Sequence, residues 1–383
     1  MDKPKVRIAV LIRHYNPFGG GAERYAVELT KRLCELYEVH VFAQTIEERS
    51  ADIIFHTIPQ WLEHPRYINQ LLFSWFTRKA TQGKFTVVHS HDMVTHANLY
   101  TLHVPCVKTR WTETHGWRKG LRWLNTILSP RKIAYLWLEN RQISPRNGKQ
   151  LIAVSEFLVR NIAHNYPQST DAITIAYPGI HPKPVTKKNP AWRSQHNIPE
   201  DAFTLLFVAN NFKRKGLPAL LHALEQLNNP QIHLIVAGNG QAEQLQISKS
   251  MEQNILFLGV VKEMKKLYPN IDAMVHPTLV DTYGMAVLEA MAQKIPVIVS
   301  NQHYCGFSEH LSDQEAILLK NPQNSAEIAE KIDFLFNHPE DRNRMALQGF
   351  KNSQSITWDQ TLEQTLAAYH RLIQPTEQPP IPL

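Results

Sequence analysis

Cysteine is scarce: Cys34, Cys106 and Cys305 are the only three in 383 residues, far apart and odd in number. That argues against a disulfide framework and fits a reducing cytoplasm, with the cysteines as small apolar filler. Long hydrophobic runs are missing as well. No apolar stretch reaches the ~18 residues that a membrane span requires, and the opening MDKPKVRIAVLIRHYNPFGGG enters a strand and a turn at once. Neither a signal peptide nor a transmembrane anchor is therefore expected. The sequence also lacks a short-period repeat, a zinc-type Cys/His spacing, a P-loop and a Ser-His-Asp order, so none of these signatures competes for the function.

What is present describes a folded chain. Hydrophobic residues make up 43% and charged residues 20%, ordinary proportions for a globular protein. The length leads to an expectation of two domains, each of roughly 150 to 200 residues. Lysine plus arginine exceeds aspartate plus glutamate by 41 to 34, a net charge of +7, which favours an anionic partner. The excess is concentrated. Between Pro105 and Gln150 stand ten basic residues, two acidic ones (Glu113 and Glu139) and four tryptophans, Trp111, Trp117, Trp123 and Trp137. No nucleic-acid module accompanies them, so nucleic acid is not an expected partner.

The order of elements follows from the pattern. Val6 to Ile12 is a β-branched run, NPFGGGAER a glycine turn and AERYAVELTKRLCEL a helix-spaced segment. Strand signals recur at YEVHVFAQ, FTVVHSHD and LIAVS, each followed by a helical pattern, as in parallel α/β sheets. From Pro178 to Pro199 the alternation lapses into a proline-rich stretch, read as an interdomain linker. It restarts with FTLLFVAN and runs to IPVIVS. The expected domains are 1–180 and 195–357, both doubly wound. A terminal helix over about 358–374, with Leu362, Leu366, Tyr369 and Leu372 as its apolar face, is expected to pack back on the first.

One segment carries most of the chemistry. In AMVHPTLVDTYGMAVLEAMAQ a strand ends near Pro277 and a helix starts near Gly284, with Asp281 in the loop and Glu289 one and a half turns into the helix. At the carboxyl edge of a parallel sheet, the N–H groups of Tyr283, Gly284 and Met285 would face an anion. Main-chain phosphate contacts would explain why the middle of the segment is poor in charge, and the flanking carboxylates would accept hydrogen bonds from hydroxyls. The bland alternative is an acidic residue that suits a helix dipole, followed by a surface glutamate.

D-T-Y-G-M-A-V-L-E-A-M-A resembles the E-x7-E segment of the retaining glycosyltransferases of family 4, which have the GT-B fold of two Rossmann-like domains facing across a cleft. The resemblance implies that Asp281 binds hydroxyls of a donor sugar, that Gly284 and Met285 bind its diphosphate, and that Glu289 binds the ribose. Asp281 departs from the usual glutamate. Further segments match in order. FVANNFKRKG places Lys215, with Arg214 beside it, where the family neutralises the departing diphosphate; Asn210 stands where an arginine is usual, leaving Arg214 or Lys213 as the substitute. Gly19, Gly20 and Gly21, with Glu23, resemble the G-G-x-E loop that approaches donor phosphate or acceptor. Gly238, Gly259 and Val260 fall in stretches that flank the nucleotide base, and Cys305, Gly306 and Glu309 in a turn near the donor sugar. His103 in YTLHVPC is the candidate for the histidine beside the anomeric centre, with His115 as the other choice.

By that resemblance the chain is an enzyme without metal or cofactor, a retaining hexosyltransferase using a nucleotide sugar, UDP-glucose being the implied donor. Its diphosphate would leave while accepting the acceptor's proton on the same face. FGGGAER and NNFKRKG look most like the lipopolysaccharide core glucosyltransferases, which implies a lipid-linked envelope acceptor. The aromatic and basic stretches at Thr109–Gln142 and WLEHPRYINQLLFSWFTRK would then rest on the anionic inner face of the cytoplasmic membrane, unless they are simply core. An exopolysaccharide or soluble-acceptor transferase, and a noncatalytic nucleotide-sugar-binding protein, remain open alternatives.

Overall fold

The computed structural model describes residues 6–109, 126, 129–145, 148–181, 190–242, 245, 247–248 and 251–373. The chain divides into two compact units, Met1–Gly179 with Trp358–Leu383, and Ile180–Thr357.

The first unit contains β1 (Arg7–Leu11), β2 (His14–Tyr15), β3 (Glu38–Ala43), β4 (Thr45–Ile46), β5 (Ile53–Thr57), β6 (Val87–Ser90), β7 (Leu99–Leu102), β8 (Gln150–Ala153) and β9 (Ile173–Ile175). Seven of them form one parallel sheet in the order β5-β3-β1-β6-β7-β8-β9, while β2 and β4 pair apart from it. Its principal helices are α1 (Gly21–Leu36), α2 (Arg66–Thr81), α3 (Pro130–Ile143) and α4 (Glu156–Asn165). Central strands of such a sheet are covered on both faces, so they read as continuous apolar runs rather than alternating ones. Ile8, Ala9, Val10 and Leu11 are accordingly all fully buried. Helix α1 turns Tyr25, Ala26, Leu29 and Leu33 inward at three- and four-residue spacing.

The second unit contains β10 (Phe203–Val208), β11 (Ile232–Ala237), β12 (Ile255–Gly259), β13 (Ala273–His276), β14 (Val297–Ser300) and β15 (Ile317–Leu319), all parallel, in the order β12-β11-β10-β13-β14-β15. Helices α5 (Leu217–Leu227), α6 (Met285–Met291), α7 (Ser325–Asn337) and α8 (Pro339–Ser353) accompany them. Leu217, Leu220 and Leu224 of α5 meet Ile328, Ile332 and Leu335 of α7 in a core with the strands, each fully buried leucine contributing about 2 kcal/mol. This unit begins at Ile180, earlier than the residue 195 expected from the proline-rich pattern, because Ile180 donates its N–H to Ile356 and Pro190–Gln195 is already helical. The buried Arg193 guanidinium anchors that helix through Asp272 at 3.1 Å and the carbonyls of Ala202 and Asn270.

The chain then returns to the first unit as α9 (Trp358–Ile373), which packs beside α1 and over β8 and β9. Its buried side chains are Trp358, Thr361, Thr365, Ala368 and Tyr369. Of the expected apolar face only Tyr369 is fully buried, and Leu362, Leu366 and Leu372 are half-exposed. Threonines can take the inner face because Thr361 donates to the Tyr177 carbonyl at 2.6 Å and Thr365 to that of Thr361 at 2.7 Å, leaving only methyl groups to pack. No helix among the described residues is long and apolar enough to cross a membrane.

Gly238, at the end of β11, has φ +122°, and a Cβ there would lie 1.9 Å from the Ala209 carbonyl oxygen. Gly83 also has a positive φ, +70°, but nothing stands within 4 Å of its Cβ position. Gly238→Ala is expected to destabilise by about 3 kcal/mol and Gly83→Ala by about 1 kcal/mol. Denaturant midpoints would check this; equal losses would refute the packing role of Gly238.

Candidate active site

Both sheets have a topological switch, where the chain leaves a central strand in one direction and later returns on its other side. Ligands of open parallel sheets bind outside the carboxyl ends at such points. In the second unit the switch lies between β10 and β13, and in the first between β1 and β6.

At the second unit's switch, the turn after β10 is pressed against the end of β13. Gly216, with φ +82°, has no room for a side chain: a Cβ would fall 1.9 Å from the Pro277 carbonyl oxygen. The Leu279 N–H donates to the Arg214 carbonyl at 2.9 Å and fastens the two loops. This approach brings the Lys215 ammonium into an ion pair with Asp281, their side chains only 13% and 18% exposed. Lys213 and Arg214 point to solvent, as does Asn210.

His276, the last residue of β13, lies 3.0 Å through Nε2 from the same Asp281 oxygen. Burial would raise the carboxyl's pKa, but the Lys215 charge and the His276 hydrogen bond overcome it and hold the group well below the usual range. Burial also lowers the pKa of His276, against the opposing pull of Asp281. The imidazole is then neutral and donates from Nε2. Main-chain bonds lock the loop: Asp281 donates to Tyr304 at 2.7 Å and accepts from Gly306 at 3.0 Å.

The helix start is formed by Gly284, whose φ of +105° and missing side chain leave space for Cys305; a Cβ would lie 2.7 Å from the Cys305 sulfur. Burial pushes the Cys305 thiol up to about 12. His276, Asp281 and Cys305 offer nitrogen, oxygen and sulfur ligand atoms within 4.8 Å of one another. A cation placed there would compete with the Lys215 ammonium and require the thiol to lose its proton.

Tyr283 is buried, and its N–H points at Asp281 Oδ1 from 3.4 Å, whereas Met285 is half-exposed at the first helical position. Glu289, half-buried on α6, accepts from the Tyr268 hydroxyl at 3.1 Å. The Gly238 N–H is bonded to the Gly259 carbonyl at 2.7 Å, tying the ends of β11 and β12, and Val260 is 60% exposed just beyond. Gly306 is buried and Glu309 half-buried in the short 3-10 turn Gly306–His310.

At the first unit's switch, Asp92 accepts from the Arg13 main chain at 2.7 Å and from its side chain at 2.9 Å, joining the loops after β1 and β6. Gly20 caps α1 and Gly21 opens it; the Glu23 carboxylate folds back so that a Cβ on Gly20 would lie 2.8 Å from its Oε2. His103 follows β7 and is half-buried, its Nε2 lying 3.1 Å from Nδ1 of His91. His89 is held by the Tyr369 hydroxyl at 3.0 Å and Thr101 at 2.7 Å. Burial pushes the pKa of His103 down to about 4 and of His89 to about 3, so both are neutral at neutral pH. His115 lies outside the described residues.

The structure therefore brings Lys215, Asp281 and Gly284 together, with Met285 and Glu289 along the same helix. Gly238 and Val260 follow strands further out in the same sheet, and Gly20, Gly21 and His103 belong to the other unit. Sequence reasoning missed His276, Gly216 and Tyr268. A histidine ending an otherwise apolar strand just before Pro277 was a usable signal; the tyrosine, far from Glu289 in sequence, left none.

Two doubly wound parallel-sheet units in one chain, each with a polar cluster at its switch point, define an α/β enzyme of GT-B architecture. The description "Glycosyl transferases group 1" fits residues 188–352, and "Glycosyltransferase Family 4" fits residues 19–183. The chain belongs to the family 4 type of GT-B glycosyltransferases. It is 21% identical over 320 residues to the lipopolysaccharide glucosyltransferase WaaG of Escherichia coli K12, covering 80% of this chain and 83% of that one. It is 24% identical over 420 residues to the D-inositol 3-phosphate glycosyltransferase of Pseudarthrobacter chlorophenolicus, covering 96% of each. The crystal structure of WaaG superposes with a TM-score of 0.79 at 19% identity, over 96% of this chain and 99% of that one.

Three histidines whose pKa values desolvation lowers make acid stability predictable. With folded pKa values of about 4, 3 and 4 for His103, His89 and His96, against an unfolded value of about 6.5, the unfolded chain binds protons that the folded one refuses. Stability is thus complete above about pH 6.5 and falls toward about pH 4, by about 1.4 kcal/mol per pH unit for each histidine. Urea midpoints across that window check the slope; a flat profile would contradict the neutral, buried state.

Proposed function

We propose that this glycosyltransferase is a retaining, metal-independent enzyme that moves glucose from UDP-glucose to a lipid-linked envelope glycan such as the lipopolysaccharide inner core. The observation that carries the reading is the Lys215–Asp281–His276 cluster beside the start of α6, with Glu289 farther along it. A buried ammonium has three N–H donors, and the ion pair with Asp281 uses one. The others are available to a departing diphosphate, whose negative charge grows in the transition state. Asp281 keeps one carboxylate oxygen for sugar hydroxyls, Gly284 and Met285 present main chain to the diphosphate, and Glu289 takes the ribose. Gly238 and Val260 flank the base, with Arg214 as an outer cation, Gly20 and Gly21 approaching phosphate or acceptor, and His103 bonding a substrate hydroxyl. The Anabaena HepE structure solved with UDP-glucose, TM-score 0.70 at 17% identity, supports the donor class.

A second reading, a soluble phosphorylated acceptor, is favoured by the likeness to D-inositol 3-phosphate glycosyltransferases along 96% of the chain. Against it stands the surface of α2 and α3. Trp75 and Trp137 are 47% and 45% exposed, with Lys79 Nζ 3.7 Å above the first ring and Arg141 5.7 Å from the second. Exposed indoles paired with cations suit the headgroup region of an anionic leaflet. Arg118, Lys119 and Arg122, which the charge pattern also implicates, lie outside the described residues.

The first test is melting with UDP-, GDP- and ADP-sugars, each with and without magnesium. A rise selective for UDP-glucose and independent of magnesium is expected, and a selective response to another donor would replace it. Lys215→Met should lower kcat by about a hundredfold with donor affinity changed only a few-fold, whereas Glu289→Ala should weaken UDP binding by about tenfold. Full activity in both would remove the site assignment. For the acceptor side, Trp75→Ala with Lys79→Ala should reduce binding to phosphatidylglycerol vesicles, and added salt should weaken what remains. Binding indifferent to both would turn the choice to the soluble acceptor.

A further inference from the structure

Arg13 stands at the first unit's switch point, just beyond the end of β1, with no part in the donor site. Its main chain is fixed at both polar groups. The N–H donates to Asp92 Oδ2 at 2.7 Å, and the carbonyl accepts from the N–H groups of Gln44 at 2.8 Å and Thr45 at 3.0 Å. The side chain is fixed as well: Nε donates to Asp92 Oδ1 at 2.9 Å. Asp92 is steadied in turn by Ser90, whose hydroxyl donates to the Asp92 carbonyl at 2.8 Å. One carboxylate thus grips both the backbone and the guanidinium of the same arginine.

A guanidinium carries five N–H donors. Asp92 takes the one on Nε, and those on Nη1 and Nη2 make no hydrogen bond with any described residue. The Arg13 side chain is 26% exposed and that of Asp92 14%. Burial works against the arginine's charge, and Asp92 more than restores it. The terminal nitrogens give hydrogen bonds and accept none, so a ligand held by them must bring acceptors. Two oxygens of a phosphoryl group match that planar fork, whereas a single hydroxyl would engage only part of it. Glu23 of α1 is the other carboxylate whose field reaches Arg13. With two carboxylates near, attraction depends on directed bonds at short range rather than on net charge, and a free ion is held weakly.

We propose that Arg13 is an anion-binding residue: the fork of its terminal nitrogens takes a phosphoryl group of the acceptor, and Asp92 is the positioning residue that aims it. The assignment to the acceptor rests on the reading that places the donor's diphosphate at Lys215 in the other unit. A guanidinium held at Nε and at its own backbone has little rotamer freedom left to lose when the phosphate arrives.

Arginine side-chain nitrogen spectra of the full-length protein test this directly. The protein is saturated with UDP and titrated with sodium phosphate, or with sodium chloride at equal ionic strength, and Arg13→Gln assigns the signals. Phosphate should shift the terminal nitrogens of Arg13 saturably, with a dissociation constant on the order of 10 mM, and chloride should not. Broadening of the phosphate phosphorus signal by the protein should fall about fivefold in Arg13→Gln and nearly as much in Arg13→Lys, which keeps the charge without the fork. An unmoved Arg13 signal, or undiminished broadening by Arg13→Gln, overturns the proposal. The affinity of Arg13→Gln for UDP should stay within about twofold of wild type; a loss of about tenfold would give the fork to the donor's diphosphate and overturn the acceptor assignment. Failure of the wild type to bind UDP would overturn the donor reading alone, since the Arg13 titration is read equally without UDP. Should Arg13→Gln fail to fold, the wild-type titration, with Arg13→Lys assigning the signal, decides.

Discussion

Asp281 is a carboxylate set between strand ends where little water reaches it, and much of the second unit follows from keeping it charged. An unpaired carboxylate in that position would destabilise the fold by several kcal/mol. Lys215 can neutralise it only if the loops after β10 and β13 nearly touch. They can touch only because Gly216 has no side chain to collide with the Pro277 carbonyl. On the far side Gly284 makes room for Cys305, and the paired main-chain bonds of Asp281 with Tyr304 and Gly306 stop the loop from drifting. Backbone geometry, glycine placement and ion pair form one dependency, with the charge as its root.

The two switch points solve the same architectural problem with different chemistry. Parallel strands bring their loops to one edge, where polar side chains enter a low-dielectric setting and each needs a partner. The second unit pairs opposite charges, which suits a reaction that moves negative charge onto a leaving group. The first unit sets neutral rings beside its Arg13–Asp92 pair, with Tyr369 of α9 bonding His89 and Trp358 packing on Tyr25 at 5.8 Å. Neutral donors recognise hydroxyls without attracting stray anions. The first unit's cluster also depends on a helix that arrives from the far end of the chain.

The sheets were legible because their strands are apolar runs punctuated by helical periods. VRIAVLI, FTLLFVAN and IPVIVS need no tertiary information to be recognised. The line of Asp281, Gly284 and Glu289 was equally readable, since local geometry alone sets it along one loop and helix. What escaped were partners decided by strand order: nothing in the sequence says that the loop after β10 lies on the end of β13, so His276 stayed anonymous and Lys215 had no visible counter-ion. Helix α9 misled in another way. Its leucines announce a face, yet Thr361 and Thr365 take the inner positions by hiding their hydroxyls in hydrogen bonds that periodicity cannot register.

The return of α9 to the first unit bears on how the protein emerges from the ribosome. Residues 180–357 form a continuous stretch, whole before α9 is synthesised. The earlier unit is completed last, since Trp358 and Tyr369, which meet Tyr25 and His89, are added only after the second unit is made. Domains usually mature in the order of synthesis. Here the later one has its whole sequence first, and until α9 is made the first unit lacks the contacts of Trp358 with Tyr25 and of Tyr369 with His89.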